Sequence, residues 1–184
     1  GQKIGIEKFK SFLTKINLID KIEFDIDEIG IPIPFKWGKC KLATTSFGHG
    51  ITTTPLQLAK GYAIVTNGGF DVKPTIIKKK NKKLIKYKKR VLKENVSKKI
   101  NPILRKIVTS KEGTANLADV KGYEIGGKTG TAEKIVSGTY SNQKKINTFA
   151  SVFPISNPKF VLVVILDEPK INAEYIYNYP DGSN

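Results

Sequence analysis

Apolar residues recur at helical spacing in three stretches of the chain. Ile6, Phe9, Phe12, Leu13 and Ile16 fall on one side of a helix over 5–17, and the pattern predicts that this helix begins at or before Gly1. Leu56, Ala59, Tyr62, Ala63 and Thr66 form a second stripe. Its start is well marked: Thr54 can cap, Pro55 suits the first helical position, and Gln57 sits where a capping-box partner belongs. Asn67-Gly68-Gly69 stops it. Ile100, Ile103, Leu104, Ile107 and Val108 make the third stripe, which Pro102 either starts after Asn101 or kinks. Residues 19–39, with Pro32 and Pro34, read as loop.

Strand patterns occupy the rest. Phe70 to Ile77 reads as a short strand, and the alternation of Tyr123, Ile125 and Gly127 predicts another through 123–128. Thr148 to Phe153 and Lys159 to Leu166 are apolar and separated only by a turn-rich join, which predicts an antiparallel hairpin. A polar loop is expected over 137–145, and no internal repeat is visible.

Composition narrows the classes. The longest apolar run, Phe160 to Leu166, has the length of a strand, so no segment of this sequence reads as membrane-spanning. A single cysteine, Cys40, excludes an internal disulfide framework and a multi-cysteine metal site. The formal charge of +16 suggests an anionic partner. Yet the arginines are only Arg90 and Arg105, whereas readers of nucleic acid use arginine for bidentate contacts. The excess of Lys, Ile and Asn reads as a compositional bias, and no nucleic-acid partner is expected. The lysine-rich stretch 78–90 reads as a solvated hairpin or loop tip, with an anion-binding arm as the alternative. The chain of 184 residues contains no methionine, so a fragment or processed product is expected.

Candidate chemistry centres on GYEIGGKTGTAEK, residues 122–134. Gly122, four residues, Gly127, Lys128 and Thr129 satisfy the phosphate-loop pattern. Val161 to Leu166 followed by Asp167 and Glu168 resembles an apolar strand ending in magnesium-binding acids. Three features weigh against that reading. NLADVK upstream is a poor buried strand, and Thr129-Gly130-Thr131 is a poor helix start, although a phosphate loop needs both elements. A strand is expected through the motif itself. After Lys128 the chain has room for only about one or two strand–helix units. The other reading is K-T-G: Lys128, Thr129 and Gly130 on a strand lining a cleft. An ammonium and two threonine hydroxyls can hold a carboxylate. Gly126, Gly127 and Gly130 leave room for a substrate backbone.

The wider succession decides between them. FGHGITTTPLQLA (47–59), NGG (67–69), KPTI (73–76), EGTA (112–115), GGKTGTAEK (126–134), TFASVFP (148–154) and NPKFVLVVILDEP (157–169) occur in this order. The succession resembles the C-terminal part of class B penicillin-binding transpeptidases, and among them the division-type, septal enzyme. The resemblance implies an α+β fold of the β-lactamase/transpeptidase kind: a mostly antiparallel five-stranded sheet flanked by helices, present here as a partial domain over 1–184. It implies a peptidoglycan D,D-transpeptidase that crosslinks stem peptides through a serine acyl-enzyme, with β-lactam antibiotics as its trapping ligands. Carried over by motif, Lys128, Thr129, Gly130 and Thr131 bind substrate, and Lys128 and Thr131 serve catalysis, the N–H of Thr131 as an oxyanion donor. No metal or cofactor is implied. The implied location is periplasmic, anchored to the inner membrane by a segment not in this sequence. The implied partners are peptidoglycan stem peptides and other division or cell-wall synthesis proteins.

The departure from the family pattern is large. No S-x-N triplet occurs, and the two S-x-x-K matches, Ser141 to Lys144 and Ser156 to Lys159, both follow the K-T-G in apparent loop and turn. The nucleophile and its lysine are absent. The sequence by itself is therefore expected to be inactive toward penicillin and to fold poorly alone. A non-catalytic penicillin-binding-like interaction module is the alternative, and a phosphate-loop nucleotidase a more distant one. His49 in the FGHG turn lacks a visible partner for general-base work and reads as scaffold.

Overall fold

The computed structural model describes residues 1–78, 89–136 and 139–170. Most of the lysine-rich stretch therefore lies outside the described residues. Four helices precede a three-stranded antiparallel sheet of order β1-β2-β3 among the described residues: α1 (Ile6–Lys15), α2 (Lys39–Thr45), α3 (Pro55–Thr66), α4 (Glu94–Thr109), β1 (Gly126–Val136), β2 (Thr139–Phe153) and β3 (Phe160–Asp167).

Helix α1 starts later than its apolar pattern suggests. Gly5, at φ 80°, takes a left-handed conformation that ends the preceding turn, so the helix opens at Ile6. Leu13 and Ile16 are buried with Ile64 of α3, and Phe9 meets the edge of Trp37 at 6.3 Å. The loop over 19–38 thus folds back onto α1.

The start of α3 is as its residues dictate. The Thr54 hydroxyl accepts from the Gln57 N–H at 3.2 Å, and the Gln57 side chain accepts from the Thr54 N–H at 2.9 Å. Of its expected stripe only Thr66 is fully buried. Gln57, Gly61, Ile64 and Thr66 are the buried positions, while Leu56, Ala59, Tyr62 and Ala63 are half-buried. The helix is enclosed on several sides, by α1 and Leu18, by α4 and by the sheet, so no single face defines it. Gln57 is tolerated at 1% exposure because its amide also donates to the Asp20 carbonyl at 2.8 Å.

Phe70 to Ile77 does not form the expected strand. Phe70 makes one isolated bridge with Arg90, and the Asp25 carboxylate accepts from the Ile76 N–H at 2.7 Å where a ladder partner would otherwise be needed. Helix α4 begins at Glu94, ahead of its apolar stripe, and contains Pro102 on an exposed side. The side chain of Asn101 donates to the carbonyls of Thr66 (3.1 Å) and Ile155 (3.2 Å), tying α4 to the end of α3 and to the β2–β3 turn.

The β2–β3 hairpin forms as expected, from Phe153↔Phe160 to Ile146↔Asp167. The polar loop over 137–145 does not. Strand β2 already begins at Thr139 and pairs with Val136 at the far end of β1, with a register shift at Glu133/Lys134. That end reads as loop because it buries no apolar face; backbone pairing alone makes it strand. Pairing and the two-residue period put Lys128, Ala150 and Val163 on one face, and Thr129, Phe149 and Val164 on the other. The first face meets the helices, where Leu104, Val152 and Ile155 form the core with Tyr62, Ile100, Ile107 and Val161. On the second face Phe160, Leu162, Val164 and Leu166 remain 43–59% exposed.

Candidate active site

Helix α4 is the template on which the K-T-G strand is laid. The Arg105 guanidinium donates to the Ile125 carbonyl at 2.8 Å and pairs with Asp119 at 3.0 Å, fixing the entry to β1. Gly126 follows at once, and a Cβ there would lie 2.7 Å from Ile155 Cγ1 and 3.2 Å from the Arg105 backbone nitrogen. Two residues further along the helix, Gly113 is pressed on the Ile107 carbonyl oxygen, 2.0 Å from where its Cβ would be. The segment leaving α4 and the strand returning to it therefore lean on the same stretch of one helix.

This arrangement brings Thr114 to Thr129. The Thr129 hydroxyl lies 2.9 Å from the Thr114 hydroxyl. Lys128 starts on the opposite face of the strand, but its ammonium turns back to donate to the Thr129 carbonyl (2.7 Å) and the Thr129 hydroxyl (3.3 Å). Lys128 and Thr131 are exposed and Thr129 is half-buried. Thr131 pairs with Asn147 and shares the face of Thr129. The result is a cluster of one cation and hydroxyl groups on an outer strand of the described sheet, suited to an anion with several acceptor oxygens.

The three glycines expected to make room for substrate do different things. Gly126 and Gly127 are buried, and their space is already filled, by Ile155 and α4 in the first case and by the Phe149 ring and the Ala150 carbonyl in the second. They are packing glycines. Only Gly130 opens onto free space, with nothing within 4 Å of a Cβ built there.

Lys128 and Thr129 lie inside β1, and the next described element is β2, not a helix. The phosphate-loop arrangement lacks the helix N-terminus it requires. The two acids at the end of β3 are also engaged. The Lys134 ammonium reaches Asp167 Oδ1 at 2.9 Å and Glu168 Oε1 at 2.8 Å, with Lys144 3.7 Å from Glu168. Its hydrogen bond to Glu168 holds the lysine above its ordinary range, and the same bond holds the Glu168 carboxyl below the usual one. His49 packs its ring against Phe47 (5.3 Å) and Tyr140 (6.3 Å), a scaffold contact between the FGHG turn and the β1–β2 hairpin. Sequence reasoning placed Lys128, Thr129, Gly130 and Thr131 together and missed Thr114. EGTA gave a signal for that segment, but nothing in it says which residue the threonine touches.

A family model described as the penicillin binding protein transpeptidase domain matches residues 1–180. The chain is 33% identical, over 94% of its length, to the probable peptidoglycan D,D-transpeptidase FtsI of Caulobacter vibrioides, and spans 31% of that relative. In structure it is similar to the apo TP domain of penicillin-binding protein 3 from Burkholderia pseudomallei, with TM-score 0.81 and 30% identity over 89% of this chain and 50% of that one. It is also similar to penicillin-binding protein 3 from Mycobacterium tuberculosis in complex with aztreonam, with TM-score 0.80 and 26% identity over 91% of this chain and 41% of that one.

Proposed function

The chain belongs to the penicillin-binding protein transpeptidase family, and from that premise we propose that it forms the K-T-G wall of a peptidoglycan D,D-transpeptidase site. The observation that carries the proposal is the convergence of the Lys128 ammonium and the Thr129 and Thr114 hydroxyls beside the open space at Gly130. A D-alanyl-D-alanine terminus ends in a carboxylate, which accepts from Lys128, Thr129 and Thr131. Gly130 lets the substrate backbone come close.

The nucleophile in this reading is a serine outside the present sequence, with a lysine as its base. The serine oxygen attacks the penultimate alanine carbonyl as its proton passes to the lysine. The oxyanion is received by the Thr131 N–H and the nucleophile's own N–H. The carbon–nitrogen bond then breaks, and D-alanine leaves as its amine takes up a proton. An amine on a neighbouring stem attacks the acyl carbon and gives up a proton, the ester bond to the serine breaks, and the serine oxygen takes up a proton as the crosslink is released. A β-lactam enters by the same carboxylate and stays on the serine. Residues 1–184 act as part of a single transpeptidase domain carrying a lysine-rich insertion at 78–90. The whole protein works in the periplasm, held to the inner membrane by a segment outside this sequence, alongside other division or cell-wall synthesis proteins. No described helix is long and apolar enough to cross a membrane.

The test is covalent labelling of the full-length protein by a fluorescent penicillin. Labelling is expected, and Lys128→Ala should slow it by roughly tenfold or more, the loss of a charged hydrogen bond in a preorganised site. Labelling of Lys128→Ala at the wild-type rate would overturn the role of K-T-G. No labelling, together with a gene lacking S-x-x-K and S-x-N ahead of this segment, would leave the non-catalytic interaction module in its place.

A further inference from the structure

Thr114 lies in the EGTA segment, outside the K-T-G strand, yet its hydroxyl is in hydrogen-bond contact with the central threonine of K-T-G. Its neighbours in the chain hold the segment in place. Gly113 allows the approach to the Ile107 carbonyl, and its N–H donates to Ser110 at 2.9 Å. Ala115 is buried at 5% exposure. The Asn116 side chain donates to the Lys111 carbonyl at 3.0 Å and closes the turn from below. Thr114, between a pinned glycine and a pinned alanine, has its side chain exposed toward β1.

Lys128 has only hydrogens to give, so the Thr129 oxygen accepts from it. That oxygen keeps a second lone pair and one hydrogen, and it stands 2.9 Å from the Thr114 hydroxyl. An incoming carboxylate offers only acceptors. With the Thr114 hydroxyl donating to the second lone pair, the Thr129 hydrogen is left for the ligand. Threonine on a strand has few side-chain rotamers, so a second hydroxyl against it also selects which one is held.

We propose that Thr114 is a positioning residue for the substrate carboxylate, acting through Thr129 by donating to its oxygen and so leaving the Thr129 hydrogen to the ligand. The inference rests on the transpeptidase reading above and deepens it.

The experiment measures the second-order rate of acylation by penicillin in the full-length protein and in Thr114→Val, Thr114→Ser, Thr129→Val and the Thr114→Val/Thr129→Val double variant. Valine keeps the shape of threonine and removes the hydroxyl; serine keeps the hydroxyl and removes the methyl. Thr114→Val should lose roughly fivefold to tenfold, the worth of one hydrogen bond. Thr114→Ser should stay within about twofold of wild type, and the double variant should be no slower than Thr129→Val alone. A wild-type rate in Thr114→Val, a loss that follows the methyl instead of the hydroxyl, or additive losses in the double variant would each overturn the inference while leaving the transpeptidase reading intact. Absence of acylation in the wild-type protein would remove the reading itself, and the inference with it.

Discussion

Alanine at position 113 would place its Cβ 2.0 Å from the Ile107 carbonyl oxygen, 2.8 Å from the Ile107 carbonyl carbon and 3.0 Å from the Ser110 carbonyl oxygen. All three are backbone atoms of α4 or its last turn, so no side chain can swing aside. The 110–113 turn must retreat by roughly 1 Å or more, a backbone shift of the kind that overpacking forces at about 1–3 kcal/mol. For a domain of this size that is a fall in melting temperature of roughly 2–10 °C. The retreat carries Thr114 away from Thr129, whose 2.9 Å contact leaves little slack. Misplacement of about 1 Å near a reacting site can cost up to ~100-fold in rate; because Thr114 acts through Thr129, about tenfold is expected here. Calorimetry and penicillin acylation of Gly113→Ala in the full-length protein read the two effects separately. A variant that melts within about 1 °C of wild type and acylates at the same rate would show that α4 does not hold this turn as described.

Two further outcomes follow from the same geometry. Gly130→Ala should melt as wild type does, within about 0.5 kcal/mol, because its Cβ meets open space, yet acylate more slowly if, as proposed above, the substrate backbone passes there; lost stability with full acylation would refute this. The Lys134–Glu168 pair gives a pH dependence. The folded chain holds the Glu168 carboxyl below its ordinary range, chiefly through the hydrogen bond from Lys134, so its contribution is complete above that range and fades as pH falls through the depressed value. Amide exchange at the Lys134 end of β1 should therefore rise on acidification into and below the ordinary glutamate range, and Glu168→Gln should abolish the rise; a rise of equal size in that variant would assign it elsewhere.

Much of this protein was legible in a few adjacent residues. The start of α3 is set by Thr54, Pro55 and Gln57, because a cap needs only groups three residues apart. The β2–β3 hairpin is set by apolar strands and a short join, and the site itself by Lys128, Thr129, Gly130 and Thr131 standing together in one strand. Other features depend on what lies opposite. The buried side of α3 could not be read from its stripe, because the helix is enclosed on several sides. Strand β2 extends over residues 139–145 through backbone pairing with β1, which leaves no periodic trace in polar side chains. Gly126 and Gly127 look like Gly130 in sequence, and only the neighbours across the sheet and on α4 make two of them packing glycines and one an opening. Thr114 and Thr129 are separated by a turn, a short 3-10 helix and the entry to β1. A local signal cannot pair two hydroxyls over that distance. Their meeting is fixed by α4, which holds Gly126 at Arg105 and Gly113 at Ile107, so the sequence determined the run of Lys128, Thr129, Gly130 and Thr131 on one strand, and the tertiary packing decided which second hydroxyl stands against it.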